Sequence, residues 1–184
     1  MLPGSRSNEI KYLLNDFMQT ADNLFTTNPD LFFVIPTVET VKSKIEKKLA
    51  NWGTPHLIIT GEKERYNAFA SASAALAASG TVSLELALAG VPHLIAYRMN
   101  KITAAVAKRI LKIKYVNLIN LMMDQPIIPE LLQENCTVSK MTQTMRELLQ
   151  GASQETQTAL TKLGKGTNPS ENVAENLIKL ARNT

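Results

Sequence analysis

Residues 74–97 decide the fold, and they read AALAASGTVSLELALAGVPHLIAY. The small apolar residues 74–77 predict a short buried strand, and the small polar residues after them predict a loop. Residues 81–89 predict an apolar helix, which Gly90 ends with a left-handed C-cap. Residues 93–97 then predict a second buried strand. Continuous apolar strands that alternate with helices indicate a parallel sheet covered on both faces.

The same alternation extends from this unit toward both ends of the chain. Apolar spacings of three and four predict helices at about 7–26, 38–49, 62–72 and 101–112. Buried strands are predicted at 31–35 and 57–60. We also expect a brief extended piece at 115–119, and helix from Pro129 to the end with breaks near Gly151 and at 164–169. The sequence therefore predicts an α/β protein with a Rossmann-like parallel sheet, helices on both faces and a helical C-terminal tail.

Composition narrows the class of protein. The chain has 184 residues, 45% hydrophobic and 20% charged, which suits one medium domain with a real core and argues against disorder. Its net charge of +4 is compatible with an anionic ligand but too small to indicate nucleic-acid binding, so no nucleic-acid partner is expected. We expect neither a signal peptide nor a membrane span, because no apolar run approaches the ~20 residues that a bilayer requires.

Few residues are suited to metal or redox chemistry. Cys136 is the single cysteine, so no internal disulfide can form and a reducing cytoplasm is the expected compartment. The two histidines, His56 and His93, have no cysteine or carboxylate cluster beside them in the sequence. We therefore expect no metal site and no cofactor.

The start of the chain is unusual for such a fold. The turn Pro3–Arg6 leads into a helix, but only Met1 and Leu2 precede it. In doubly wound folds such a turn follows a core strand, so we expect the chain to begin inside a larger protein. Residues 1–150 are expected to form one binding domain, and residues 151–184 to form helices that pack on it or on a partner.

The first candidate site is this turn. Gly4 lets the backbone approach a ligand closely, and Ser5 or Ser7 can cap the helix that follows. Free N–H groups at a helix start favour an anion, and Arg6 adds a permanent charge with a forked set of donors. The alternative is an ordinary capped helix with a solvated arginine, since Gly-Ser turns are common in loops.

The second candidate site is the loop Ser79-Gly80-Thr81 and the helix after it. These small residues put a helix start at the carboxyl edge of the sheet, where open α/β sheets bind ligands. Glu85 lies one turn into that helix and could accept both hydroxyls of a ribose whose phosphates sit at the helix end. The alternative is that Glu85 only complements the helix dipole. A lone carboxylate in an almost wholly apolar helix needs partners, which favours a functional role.

Three further polar residues and one basic segment are weaker candidates. Arg98 ends a strand at the same carboxyl edge, where it either reaches a phosphate or pairs with a neighbouring helix. Asn120 and Gln133 carry donors and acceptors suited to sugar or base edges. The basic segment, residues 98–114, is either the solvated face of a core helix or a contact with an anionic membrane surface. It contains no acid and six cations: Arg98, Lys101, Lys108, Arg109, Lys112 and Lys114.

These motifs occur in an order that resembles a known family. The segments concerned are Leu2–Arg6 with Glu9-Ile10, Ala78–Glu85, Gly90–Pro92, Ala96–Met99 and Pro129–Gln133. Together they closely resemble the C-terminal half of the lipid-A-disaccharide synthases, which are glycosyltransferases of the GT-B fold. The likeness covers most of residues 2–136. A single Ser-Gly-Thr followed by Glu occurs in many nucleotide-sugar enzymes, so the ordered set is what makes the likeness specific.

The resemblance implies a hexosyltransferase of lipid A synthesis in Gram-negative bacteria. Such an enzyme transfers 2,3-diacylglucosamine from its UDP carrier to 2,3-diacylglucosamine 1-phosphate and releases UDP. Residues 1–150 would be the UDP-sugar donor domain, one half of the GT-B fold, and an N-terminal acceptor domain would be absent from this chain. Family members are cytoplasmic and peripheral to the inner membrane, and a homodimer formed through the C-terminal helices is compatible with the family.

The resemblance also implies which residues act in catalysis. Arg6 matches the arginine expected near the donor phosphates, and Ser79, Gly80 and Thr81 match the phosphate-binding helix end. Asn120 matches a family asparagine that usually follows a proline, whereas Ile119 stands before it in this chain. Arg6 and Asn120 are therefore the expected catalytic residues.

The remaining candidates are expected to bind the UDP-sugar donor. Glu85 matches the ribose-binding acid of the family, and the backbone around Thr60 and Gly61 is where uracil is expected. The set is completed by Gly4 and Ser5 of the first turn, and by Arg98 and Gln133.

Two other functions remain open at this point. A UDP-sugar epimerase of related architecture would convert the donor without an acceptor. A non-catalytic module for nucleotide binding or oligomerisation would need no reaction at all. On the glycosyltransferase hypothesis, this polypeptide is expected to bind nucleotide but to turn over poorly or not at all by itself.

Overall fold

The computed structural model describes residues 1–78, 82–98 and 115–151. Its helices are α1 (Ser7–Thr27), α2 (Glu39–Leu49), α3 (Glu62–Ser71), α4 (Val82–Leu88), α5 (Leu118–Met123) and α6 (Val138–Gln150). Its strands are β1 (Phe33–Pro36), β2 (His56–Ile59), β3 (Ala75–Ala78), β4 (His93–Tyr97) and β5 (Glu130–Leu132), and Gln133–Asn135 form a short 3₁₀ helix. The helix predicted at 101–112 and the helical tail predicted over 152–184 lie outside the described residues.

All strand pairs in the described part of the chain are parallel. β1 pairs with β2, with Phe33 opposite His56. β3, β4 and β5 form a second set, in which Ala75 lies opposite His93. A helix follows each of β1, β2 and β3 and returns the chain to the starting edge. The carboxyl ends of these strands therefore face the same edge of the structure.

The N-terminal dipeptide joins the two sets of strands. The Leu2 N–H donates to the Leu76 carbonyl, and the Leu2 carbonyl accepts from the Ala78 N–H, both at 2.8 Å. On the other side, the Met1 amino group donates to the Val34 carbonyl in β1 at 2.7 Å. The resulting order across the layer is β2, β1, the dipeptide, β3, β4 and β5. Burial lowers the pKa of the Met1 amino group to about 5.

Side chains of the strands alternate between two helical layers. In β3, Leu76 and Ala78 pack with residues of α1 and α6. The intervening Ala75 and Ala77 pack with residues of α3, α4 and α5 on the opposite face. This alternation follows from the period of two in a strand, and it buries both faces of the sheet at β3. The predicted α/β class, with parallel strands and helices on both faces, is confirmed.

Two local predictions after residue 114 are wrong. Residues 118–119 begin helix α5 rather than an extended piece, because Asn117 caps that helix by accepting the Ile119 N–H at 2.8 Å. Residues 130–132 form strand β5 rather than helix. The Ile95 N–H donates to the Pro129 carbonyl at 3.0 Å, so pairing with β4 decides the conformation of this short segment.

A buried hydrogen-bonded chain links α4, β4 and α5. The Nδ1–H of His93 donates to the Val91 carbonyl at 2.8 Å, which makes Nε2 the acceptor for the Ser83 hydroxyl at 2.7 Å. The Asn117 amide in turn donates to the Ser83 oxygen. Burial lowers the pKa of His93 to about 4, although its hydrogen bond to Val91 acts in the opposite direction. The imidazole is therefore neutral in the folded protein at neutral pH.

Because the folded protein keeps His93 neutral, we expect it to lose stability in mild acid. The unfolded chain protonates His93 near its ordinary pKa of 6.5, but the folded chain resists protonation down to about 4. The stabilising contribution of the neutral imidazole to the free energy of unfolding is complete above pH 6.5. It decreases as the pH falls toward 4, by about 3 kcal/mol in total. Urea unfolding at each pH measures it.

His93→Gln is the matched variant for this experiment, because it removes the titrating imidazole and leaves every other acid-sensitive group, including the Met1 amine, in place. The free energy of unfolding of His93→Gln should depend less on pH between 6.5 and 4 than that of the wild type. Parallel curves for the two proteins would contradict the assignment.

Candidate functional site

A cleft of about 910 Å³ opens at the carboxyl edge of the sheet. Its lining comes from the chain just beyond Leu2, β1, β2 and β3. The helices that follow Leu2 and β3 leave toward opposite faces, α1 to one and α4 to the other. Neighbouring strands whose helices diverge in this way leave a crevice between them, and such a switch point is where open α/β sheets bind ligands.

The structure brings six of the predicted site residues together in this cleft. They come from three separate parts of the sequence: Gly4, Ser5, Arg6, Thr60, Gly61 and Glu85. The predicted loop Ser79-Gly80-Thr81 lies outside the described residues. The residues on either side of it, Ala78 and Val82, both line the cleft.

The carboxylate of Glu9 organises the first turn. Its Oε2 accepts the N–H groups of Ser5 at 2.9 Å and Arg6 at 3.2 Å, while its Oε1 lies 3.3 Å from Nη1 of Arg6. This corrects two expectations. The helix start is capped by Glu9 rather than by Ser5 or Ser7, and two of the N–H groups expected to be free for an anion already have an acceptor.

Arg6 is therefore the group of this turn that remains open to a ligand. Its side chain is 80% exposed, and Glu9 holds one end of its guanidinium through the single contact at Nη1. A guanidinium keeps several N–H donors in a rigid plane, so the rest of the fork can bind a phosphate or carboxylate. The contact with Glu9 at Nη1 connects one end of this fork to the turn.

The second wall of the cleft follows β2. Gly61 has a φ of +103°, a conformation that favours glycine, and it stands immediately before α3. Its carbonyl accepts the Arg65 N–H at 3.2 Å, which is the first turn of that helix. Thr60 and Gly61 thus line the cleft at the carboxyl end of β2.

The third wall carries an ion pair that the sequence did not predict. Glu85 on α4 faces Arg65 on α3, with Oε2 3.1 Å from Nη2. The carboxylate in the apolar helix is therefore not alone, and its charge has a nearby compensating partner. Both residues line the cleft. The Arg65 side chain is 31% exposed and the Glu85 side chain 26% exposed, so the pair is only partly screened by solvent.

Arg98 does not line the cleft. Its Nη1 lies 2.6 Å from Oδ2 of Asp16 on α1, and its Nη2 donates to the Cys136 carbonyl. Of the two roles open to this residue, the structure supports pairing with a neighbouring helix. The reason is topological, because β4 lies beyond β3 and its carboxyl end faces α1 and the start of α6 rather than the switch point.

Asn120 and Gln133 are also outside the cleft lining. Asn120 is 1% exposed, and its amide donates to the Ile128 carbonyl and to Glu130 while its oxygen accepts the Ile128 N–H. These bonds satisfy the side chain and tie α5 to β5. Gln133 begins the 3₁₀ helix after β5, with a φ of +49°. The expected role of Asn120 in catalysis and that of Gln133 in donor binding stay predictions, which the described contacts do not support.

Sequence reasoning missed several residues of the cleft lining, among them Glu9, Thr37 and Arg65. Glu9 stands three positions after Arg6, the spacing of a capping box, and that signal was present in the sequence. Thr37 directly follows β1, so its position at the carboxyl edge could have been read from the strand prediction. No local pattern marks Arg65, because its partner lies twenty residues away on another helix.

Comparisons with known proteins identify the family of this chain. The family model described as lipid-A-disaccharide synthetase matches residues 1–181. A lipid-A-disaccharide synthase from Rhodospirillum centenum is 45% identical over 149 residues, which are 81% of this chain and 37% of that protein. One from Paramagnetospirillum magneticum is 39% identical over 191 aligned residues, 99% of this chain and 49% of that protein. The chain thus spans between a third and a half of the length of these curated relatives.

The geometry of the first turn yields a prediction about Gly4. Its φ is +112°, and a Cβ there would lie 2.2 Å from Oε2 and 2.5 Å from Cβ of Glu9. Gly4→Ala should therefore displace Glu9 and lower the free energy of unfolding by about 1–3 kcal/mol, measured by urea denaturation.

Gly53→Ala is the matched control, because a Cβ at Gly53 meets nothing within 4 Å. It should change stability by less than about 1 kcal/mol. Equal effects of the two substitutions would mean that the contact between the Gly4 backbone and Glu9 is not what restricts this position.

Proposed function

This chain belongs to the lipid-A-disaccharide synthase family, and we propose that its cleft holds the nucleotide of a UDP-activated sugar. The observation that carries the proposal is the convergence of six predicted residues, from three separate segments of the sequence, on one cleft at the switch point of the sheet. The exposed guanidinium of Arg6 would bind a diphosphate, whereas an uncharged ligand would gain little from its charge.

Each wall of the cleft has a separate part of the nucleotide to bind. Arg6 contacts the phosphates, and Glu85 accepts hydrogen bonds from the ribose hydroxyls. The backbone of Thr60 and Gly61 faces the uracil ring. The loop Ser79-Gly80-Thr81 remains a prediction as the second phosphate contact, supported by the position of its two flanking residues in the cleft lining.

The contacts to the phosphates are the ones that stabilise the charge formed in the transition state. As the bond between sugar and UDP breaks, negative charge builds on the terminal phosphate and the sugar acquires cationic character. A fixed guanidinium stabilises the charge that develops more than the charge already present, because it is oriented before the reaction starts. Glu9 contributes to that orientation through its contact with the Arg6 guanidinium and through its hydrogen bonds to the backbone of the turn.

For the whole enzyme, we propose transfer of 2,3-diacylglucosamine from its UDP carrier to 2,3-diacylglucosamine 1-phosphate, with release of UDP. In this proposal the acceptor is bound mainly by a part of the protein outside these residues, and this chain supplies the donor half of a GT-B enzyme. Incubation of the whole enzyme with acylated donor and acceptor separates this function from that of an epimerase, which would alter the donor sugar without forming a disaccharide.

We further propose that the protein works at an anionic membrane surface, such as that of the inner membrane, and that two copies associate. The basic segment 98–114 supports membrane contact through its six cations and lack of acids. None of the described helices has both the length and the apolar character to cross a membrane.

Calorimetric titration with UDP tests the nucleotide site. The full chain should bind UDP, and Arg6→Ala should weaken binding by about tenfold or more, because a charge-assisted hydrogen bond to phosphate is lost. Lys11→Ala is the matched control. Lys11 is an exposed cation on α1 outside the cleft lining, so its removal should change affinity by less than about twofold.

If both substitutions weakened UDP binding equally, Arg6 would act only through the general charge of the protein and its assigned contact would be wrong. No binding of UDP by the correctly folded wild-type chain would refute the proposed function itself.

Membrane contact is tested by co-sedimentation with vesicles of phosphatidylcholine, with or without phosphatidylglycerol. Binding should require the anionic lipid and should decrease about tenfold or more in the double variant Lys108→Gln, Arg109→Gln, since each cation near the surface contributes about 1 kcal/mol. The matched control replaces the exposed neighbours Lys47 and Lys48 of α2 by Gln. An equal loss in the control would assign the binding to net charge, and negligible binding to both vesicles would exclude the proposal.

A further inference from the structure

We infer that Arg65 is a positioning residue, which holds Glu85 in the orientation that selects a ribose. The ion pair as a whole, rather than Glu85 alone, then recognises the 2′-hydroxyl of the nucleotide. The inference rests on the proposed nucleotide site and adds a residue and a selectivity to it.

The geometry of the pair supports a positioning role. Nη2 of Arg65 lies 3.1 Å from Oε2 of Glu85, and this oxygen is buried. The side chain of Glu85 as a whole is 26% exposed and lines the cleft. The contact with Arg65 thus lies at Oε2, which leaves Oε1 as the oxygen for a ligand. No described residue donates a hydrogen bond to Glu85.

Unpartnered polar atoms collect in this part of the cleft. Nε of Arg65, Oε2 of Glu85 and Oγ1 of Thr37 are buried and have no hydrogen-bond partner among the described residues. All three residues line the cleft. Buried polar atoms without partners are rare in folded proteins, and contacts in an empty active site often align only when the ligand arrives. The pair therefore has the loose geometry of a site that closes on its ligand.

The charges of the pair favour a sugar hydroxyl as the ligand. A carboxylate only accepts hydrogen bonds, so Glu85 needs a donor and would repel a phosphate. An uncompensated carboxylate would also repel the diphosphate held by Arg6 in the same cleft. Arg65 compensates this negative charge, so Glu85 can accept a hydrogen bond from a neutral hydroxyl although a diphosphate lies beside it. A ribose offers two adjacent hydroxyls that can donate, whereas a uracil ring offers one N–H donor among acceptors.

The experiment compares binding of UDP and 2′-deoxy-UDP to the full chain by calorimetry. The wild type should prefer UDP by about tenfold or more, because a hydroxyl bonded to a charged group is lost in the deoxy compound. In Arg65→Met both nucleotides should bind more weakly, since the charge of Glu85 is unshielded, and the preference for UDP should fall to about threefold or less. Lys63→Met, an exposed cation on the same helix outside the cleft, should keep the wild-type preference.

A double variant separates positioning from direct contact. Glu85→Gln keeps the shape of the side chain and removes its charge, so it should lose most of the preference. If Arg65 acts through Glu85, adding Arg65→Met to Glu85→Gln should lower the preference no further. Arg65→Lys, which keeps the charge, should restore part of the preference and serves in place of Arg65→Met if the latter does not fold.

Distinct results overturn distinct statements. An unchanged preference in Arg65→Met, or a further loss in the double variant, would overturn the positioning role. Equal binding of the two nucleotides by the wild type would overturn selection of the ribose while the nucleotide site stands. Absence of UDP binding to the wild type would refute the site and this inference together.

Discussion

The cleft depends on the backbone pairing between Leu2 and β3. Two hydrogen bonds connect Leu2 with Leu76 and Ala78, and the Met1 amine reaches Val34 on the other side. Without these bonds, β1–β2 and β3–β5 would be separate sheets. The cleft walls that follow β2 and β3 would then have no fixed position relative to each other. Leu2 also packs its side chain into the core beneath β3, so burial and hydrogen bonding hold it in the same place. The turn with Gly4 and Arg6 starts directly from this anchored residue.

Charge compensation within the cleft is the second organising feature. The described lining carries more acids than bases: Glu9, Glu39, Glu62 and Glu85 against Arg6 and Arg65. A nucleotide therefore meets no general positive field here, and its binding relies on individually oriented groups. Each arginine is held by one carboxylate, Arg6 by Glu9 and Arg65 by Glu85. These contacts limit where each guanidinium lies before the ligand binds, while the Arg65–Glu85 contact reaches full alignment only with the ligand.

Much of the fold follows from local patterns. The apolar spacing of α1 and the apolar runs of β1, β2 and β4 are long or regular enough to be recognised directly, although β2 is only partly buried in the structure. Strand β5 was missed because it has only three residues and follows Pro129, which also starts helices. Its conformation comes from hydrogen bonds to β4, whose paired residues lie 35 positions earlier in the chain. Helix α5 was missed for a similar reason, since its cap Asn117 is held by Ser83 from another element.

By itself, the sequence determined the α/β class, the alternation of strands and helices, and the identity of the turns that meet at one edge. These features rest on periodicity and on glycine-containing turns, which act over a few residues. Only the tertiary structure decided that Arg98 pairs with Asp16 and that Arg65 meets Glu85. Whether a charged group is free or neutralised depends on which oppositely charged group lies within a few ångströms, and both of these partners are distant in sequence.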